Sequence, residues 1–195
     1  TAVGYGALSA SNADGNTAVG YLAAANLTTG TDNVAVGQNA LNQSITGSEN
    51  IAIGKNALAN CTSNQNTVVG GEGCGDNVTT GSECVFMGCF AGSAVTTGSG
   101  NVLIGPSAAS SLSTGSNNTT CGKDTGTSAT TGSNNLFLGY QAGTSSSPNQ
   151  ITTCINAIVI CNNSITACHI KVDWTVTSVR RDKTDIEPFN HGLSW

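Results

Sequence analysis

The stretch Asn-Ile-Ala-Ile-Gly at residues 50–54 decides the fold, because near copies of it recur along most of the chain. Asn-Val-Ala-Val-Gly at residues 33–37 precedes it, and Asn-Val-Leu-Ile-Gly at residues 101–105 follows it. The glycine that closes each copy returns every 16 to 18 residues, at Gly4, Gly20, Gly37, Gly54, Gly70, Gly88, Gly105, Gly122 and Gly139. Nine copies at one spacing predict a repeat architecture in which each unit stacks on its neighbour.

Each unit has the same internal order. Asn stands four residues before the glycine, except at Cys84, and a large apolar residue usually stands directly before it. A small residue follows three positions after the glycine, Ala in most units and Gly73 in the unit that starts at Gly70. Side chains of a strand alternate between its two faces. We therefore expect the Val and Ile residues to point inward and the row between them, mostly Ala at first, to point outward. That outward row includes Phe86, Leu103 and Phe137.

The repeat predicts an all-β fold. The conserved spacing leaves room for two short strands and two bends, one at the glycine and one at a Thr-Gly pair such as Thr46-Gly47. A chain of this kind forms a parallel β-solenoid with about 17 residues per coil, and equivalent positions of successive coils lie about 4.8 Å apart. Asn at one corner of every coil then predicts a ladder of side-chain amides along the stack.

Composition restricts the classes of partner. Charged residues make up only 9% of the chain, aromatic residues 5%, and the net charge is −5. Such a chain lacks the basic surface that nucleic acids need, and it has no apolar run of the roughly 20 residues that insert into a membrane. Its core is expected to be thin, so the outward apolar row predicts contact with other copies of the chain.

The eight cysteines form no Cys-x-x-Cys pair and no zinc spacing with His169 or His191, so we expect no metal site and no cofactor. Cysteines of the repeat stand at different positions within their units, which favours small core residues over a disulfide framework. Cys154, Cys161 and Cys168 lie outside the repeat and are the exceptions. No pair of carboxylates recurs at a fixed position, so a glycan-cleaving tailspike is not favoured.

The units resemble the Asn-x-Val-Ala-Ile-Gly repeats of the YadA-like heads of trimeric autotransporter adhesins, and related repeats of phage and other viral tail fibres. The resemblance covers residues 1–143, although the period here is longer. It implies a left-handed parallel β-roll assembled as a homotrimer.

After residue 143 the period fails, and short β-branched runs predict an interlaced β connector over residues 144–177. Residues 178–195 resemble the start of the peptidase S74 intramolecular chaperone, with its Ser-Asp-x-Arg-x-Lys-x-x-Ile pattern. Ser178, Arg181, Lys183 and Ile186 fit this pattern, whereas Val179 replaces its Asp. The resemblance implies that Ser178 is the nucleophile of a self-cleavage and that Lys183 takes part in its activation. From the residues alone, a serine near basic side chains is ordinarily a solvated polar turn.

Together these features predict a structural fibre protein, a trimeric shaft or head segment of a virus or phage appendage on the virion surface. Its partners would be two further copies of the chain and a host cell-surface receptor, either glycan or protein. A bacterial trimeric adhesin is the first alternative, and the S74-like tail argues against it. An ice-binding solenoid is the second, suggested by the recurring Thr, but these threonines stand at a corner next to Gly.

Overall fold

The computed structural model describes residues 1–144, 152–160, 162 and 164. This part of the chain confirms the β-solenoid: it forms one ten-stranded sheet in which every strand is parallel to the next. The strands are β1 (Ala2–Val3), β2 (Thr17–Val19), β3 (Val34–Val36), β4 (Ile51–Ile53), β5 (Thr67–Val69), β6 (Val85–Met87), β7 (Val102–Ile104), β8 (Thr119–Cys121), β9 (Leu136–Leu138) and β10 (Ile158–Ile160). No helix of the described residues is long and apolar enough to cross a membrane.

Equivalent residues of successive units lie side by side. Ala35 of β3 pairs with Ala52 of β4, and Phe86 of β6 pairs with Leu103 of β7. Between β9 and β10, where Phe137 pairs with Val159, the offset grows from the usual 16 to 18 residues to 22. The sheet thus continues past the repeat boundary at residue 143 and into the stretch expected to be a connector.

The prediction of which strand face is buried was wrong. The middle residue of each strand from β2 to β9 is 0% exposed, namely Ala18, Ala35, Ala52, Val68, Phe86, Leu103, Thr120 and Phe137. The flanking Val and Ile residues point outward instead, and Ile53 is 38% exposed. Phe86, Leu103 and Phe137 are therefore core residues and not an interchain seam. The coil is too narrow to enclose two β-branched side chains per strand.

Complementary volumes fill this narrow core. Where the middle residue is Ala35 or Ala52, the position four after the next glycine carries Leu41 or Leu58, and both leucines are 0% exposed. Where the middle residue is Phe86, that position is Gly92, and a Cβ added there would lie 2.7 Å from the Phe86 ring. Gly143 stands in the same relation to Phe137, at 3.0 Å. A large side chain on one wall is thus matched by a small one on the other, as close packing requires.

Each repeat unit contains one strand and not the two expected, and backbone hydrogen bonds join the coils on the sides without strands. The Leu41 N–H donates to the Ala57 carbonyl at 3.0 Å, and the equivalent Gly75 N–H donates to the Ala91 carbonyl at 3.1 Å. The second bond shows that Cys74, and not Gly73 as expected, occupies the small buried position of its unit. That unit has one extra residue, inserted between Gly70 and Cys74.

The glycine bends bring the coils into close contact. Gly20 has φ +139°, and a Cβ there would lie 2.6 Å from the carbonyl oxygen of Gly37. Any other residue would therefore clash with the backbone of the next coil, which explains why glycine recurs at this position.

Candidate functional site

The two residues predicted for self-cleavage, Ser178 and Lys183, lie outside the described residues, as do residues 178–195 as a whole. Most of the connector, together with Cys161 and Cys168, also lies outside them. The proposed catalytic pair therefore stays a prediction from the sequence. Its candidate functional features are those of the solenoid.

The most extended of these features is an apolar surface on the sheet, which we call the outer sheet face. It consists of the first and third residues of the strands β2 to β9: Thr17, Val19, Val34, Val36, Ile51, Ile53, Thr67, Val69, Val85, Met87, Val102, Ile104, Thr119, Cys121, Leu136 and Leu138. Ile51 is 37% exposed, Met87 is 43% exposed, and none of the sixteen residues is buried. At about 4.8 Å per strand the two rows extend for about 34 Å. A largely apolar and partly exposed surface of this length is a candidate interaction site.

No strand carries a charged residue on this face, and β-branched side chains dominate it. Both rows can be recognised in the sequence, but the prediction from strand alternation wrongly placed them in the core. The pairing of Phe86 with Gly92 and of Phe137 with Gly143 is the signal that could have identified the inner row, because only enclosed positions need matched volumes.

The predicted amide ladder is present at the Asn corner. The Asn33 Nδ2 donates to the Asn16 Oδ1 at 3.0 Å and to the Gly47 carbonyl at 2.8 Å, while the Asn33 backbone N–H also reaches the Asn16 Oδ1 at 3.0 Å. The same pattern joins Asn50 to Asn33. Each buried amide thus pairs with backbone groups of the next coil and with the amide of the coil before it, as buried polar groups require.

Cys84 interrupts this ladder. Its backbone N–H still donates to the Asn66 Oδ1 at 3.0 Å, and its thiol lies 3.4 Å from the Gly98 carbonyl oxygen, where other coils place an amide Nδ2. The backbone N–H and the side-chain amide of Asn101 in the next coil face the Cys84 sulfur, which is a weaker acceptor than an amide oxygen. The ladder resumes where the Asn118 Nδ2 donates to the Asn101 Oδ1 at 3.1 Å.

A second ladder uses hydroxyl groups at the Thr corner. The Thr62 Oγ1 donates to the Thr79 carbonyl at 3.0 Å, and the Thr79 Oγ1 donates to the Thr96 carbonyl at 3.1 Å. Thr96, Ser113 and Thr130 continue the series. Since these hydroxyl protons are bound within the stack, the corner does not favour the ice-binding alternative.

The thiols of the repeat fall into two groups. Cys61, Cys74 and Cys84 are buried, as expected of small core residues, and burial raises the pKa of each thiol, to about 12 for Cys74. Cys89 and Cys121 are exposed, so the expectation was wrong for them. Cys121 is exposed because it lies on the outer sheet face and not on the inner row.

Comparison with known proteins adds no relative to these observations. The chain matches no family model, no curated protein and no solved structure.

Proposed function

We propose that the chain is a segment of a homotrimeric fibre of a virus or phage appendage, which projects a receptor-binding part toward the host from the virion surface. The observation that carries this proposal is the outer sheet face. A single solenoid leaves two rows of β-branched and other large apolar side chains in water for about 34 Å. Burying them against further copies of the chain removes this apolar surface from water and supplies stabilisation that the thin core lacks.

Parallel copies suit this surface better than an unrelated partner does. Equivalent strands recur at one spacing along the stack, so the rows of one copy meet the same rows of another at every coil. The absence of charged residues from the strands means that like charges do not oppose each other across such a contact. Three copies around one axis would enclose the outer sheet faces and leave the corners exposed, as a fibre requires.

We propose further that residues 178–195 begin a chaperone segment of the S74 type, with Ser178 as nucleophile and Lys183 in its activation. The support for this part is the sequence resemblance described above. The replacement of the pattern's Asp by Val179 leads us to expect slow or absent cleavage.

The direct test of the fibre proposal is the mass of the folded protein in solution. Light scattering or sedimentation should give three times the chain mass of 19.4 kDa. A folded monomer that persists at high protein concentration would contradict the proposal.

A further inference from the structure

A polar cavity of about 230 Å³ lies on the surface of the solenoid, across the coils that follow β3, β4 and β5. It is lined chiefly by side-chain amides and one carboxylate, from Asn39, Asn42, Asn56, Asn60, Gln43 and Asp76. None of its lining residues belongs to a strand. The cavity is therefore separate from the outer sheet face.

The amides of this cavity are a local departure from the repeat. Asn39 and Asn56 stand two residues after their glycines, a position that Leu22, Phe90 and Ser107 occupy in other units. These positions have φ between 50° and 60°, a left-handed conformation that Asn accepts more readily than Leu or Phe. This backbone conformation does not explain why asparagine stands at these two positions, because other coils adopt it with other residues. What the two asparagines add here is hydrogen-bonding capacity on the cavity wall.

Part of that capacity is unused within the described part of the chain. The Asn39 Nδ2 donates to the Asn56 Oδ1 at 3.3 Å, which leaves the Asn56 Nδ2 without a protein partner. The side-chain amide of Gln43 makes no hydrogen bond with the described residues. The Asp76 carboxylate accepts a long bond, 3.4 Å, from the Asn77 Nδ2 and hydrogen bonds from the Asp76 and Asn77 backbone N–H groups, which leaves part of its capacity to accept unused. Free donors and free acceptors thus line the same small space.

Charge determines which ligand suits these groups. Asp76 is the one ionisable residue that lines the cavity, and no cationic side chain does. Lys55 directly precedes the lining residue Asn56 but does not line the cavity, and its Nζ contacts the Glu72 Oε1 at 3.2 Å. A phosphate, sulfate or carboxylate would meet a carboxylate without a compensating cation, and a single carboxylate is a poor basis for a metal site. Amide and carboxylate groups do match the hydroxyls of a sugar, which both donate and accept hydrogen bonds.

The volume of the cavity further restricts the class of ligand. Cavities for drug-sized molecules range from about 300 to about 1,000 Å³, so this one has room for a single sugar ring. We propose that the cavity binds one neutral sugar residue of a surface glycan. The biological meaning of this binding rests on the proposed host-attachment function, whereas the binding itself does not.

Saturation-transfer NMR with the folded protein tests the proposal, using the methyl glycosides of four neutral sugars, glucose, galactose, mannose and N-acetylglucosamine, at millimolar concentration and that of sialic acid as a charged comparison. We expect at least one of the four neutral glycosides to bind. Gln43→Ala should weaken that binding about fivefold, the effect of losing one hydrogen bond worth about 1 kcal/mol. Gln43 is exposed, so its replacement leaves the core intact. Asp76→Asn, which keeps the side-chain shape, is a second variant and should also weaken binding.

Gln38→Ala is the matched control, because Gln38 is an exposed amide of the same coil as Asn39 that does not line the cavity. Binding of none of the four neutral glycosides would overturn the proposal. Equal weakening by Gln38→Ala and Gln43→Ala, or preference for the methyl glycoside of sialic acid over the neutral sugars, would also overturn it. A protein that binds a sugar but remains monomeric would refute the fibre proposal and support the sugar-binding proposal. A trimer that binds no sugar would refute the sugar-binding proposal and support the fibre proposal.

Discussion

At the level of single residues, the narrow core sets what each position tolerates, and Thr120 is a costly exception. Thr120 takes the middle position of β8, is 0% exposed, and its hydroxyl has no hydrogen-bond partner. A buried polar group left unpaired costs about 1–3 kcal/mol. We expect Thr120→Val to raise the free energy of unfolding by about 1 kcal/mol, measured by denaturant titration.

Thr125 provides the control for that substitution. It is buried in the same coil, but its Oγ1 donates to the Gly139 carbonyl at 2.6 Å. Thr125→Val should therefore lower the free energy of unfolding. If the two variants shift stability in the same direction, the unpaired hydroxyl of Thr120 is not what limits this coil.

Burial also determines the reactivity of individual thiols. Since the thiolate is the reactive form, the raised pKa of Cys61, Cys74 and Cys84 keeps these residues protonated and unreactive at pH 8. Cys89 is exposed and lies off the outer sheet face, so it should be alkylated in the native protein at that pH. We expect the three buried thiols to be alkylated only after denaturation, as followed by peptide mass spectrometry. Alkylation of Cys74 at the rate of Cys89 in the native state would contradict this expectation.

At the level of the repeated elements, the Asn ladder is the feature whose continuity can be restored. Cys84→Asn would supply an Oδ1 for the backbone N–H of Asn101 and an Nδ2 for the Gly98 carbonyl, where the thiol now lies. We expect this variant to gain about 1–2 kcal/mol of stability, from one or two net hydrogen bonds. Thermal or denaturant unfolding measures the gain.

The reciprocal change is the control for the ladder. Asn118→Cys creates the same interruption one coil beyond Asn101, and it removes the bonds that the Asn118 amide makes to Asn101 and Gly132. It should destabilise the protein by more than Cys84→Asn stabilises it, because buried groups lose their partners. Equal stability of both variants and the parent protein would show that the ladder contributes nothing.

The same elements show how much of the structure could be predicted from the sequence. Period, parallel pairing and the Asn ladder follow from spacing, because stacking places equivalent residues side by side. The spacing does not tell which face of a strand is buried. Ala35 and Val36 are both apolar, and alternation shows only that they point to opposite faces. The sequence does not predict the cavity, because its amides and Asp76 stand in different coils and come together only when the coils stack. Only the folded coil brings these groups together.

At the level of the whole molecule, the outer sheet face should control assembly. Ile53→Glu places a charge in the middle of that face, on a residue that is 38% exposed, so the coil can fold but the contact between copies is lost. We expect a folded protein of lower mass by light scattering. Gln38→Glu, an equally exposed charge outside the sheet, should leave the mass unchanged.

A third variant separates assembly from folding. Leu103 is 0% exposed in the core, so Leu103→Glu should prevent the coil from forming, which circular dichroism would detect as loss of β structure. If Ile53→Glu instead retains the full mass of the parent protein, the outer sheet face is not the contact between copies.

The unequal lengths of two neighbouring units have a consequence for alignment. The unit that starts at Gly54 has 16 residues and the one that starts at Gly70 has 18, so the two deviations cancel over the pair. In a stack of identical coils, a copy displaced by one whole coil would make the same contacts as a copy in register. The short unit and the long unit remove this equivalence. Copies displaced by one coil would set units of unequal length side by side here and at the 16-residue unit that starts at Gly4, so a few irregular units can fix the alignment of the stack.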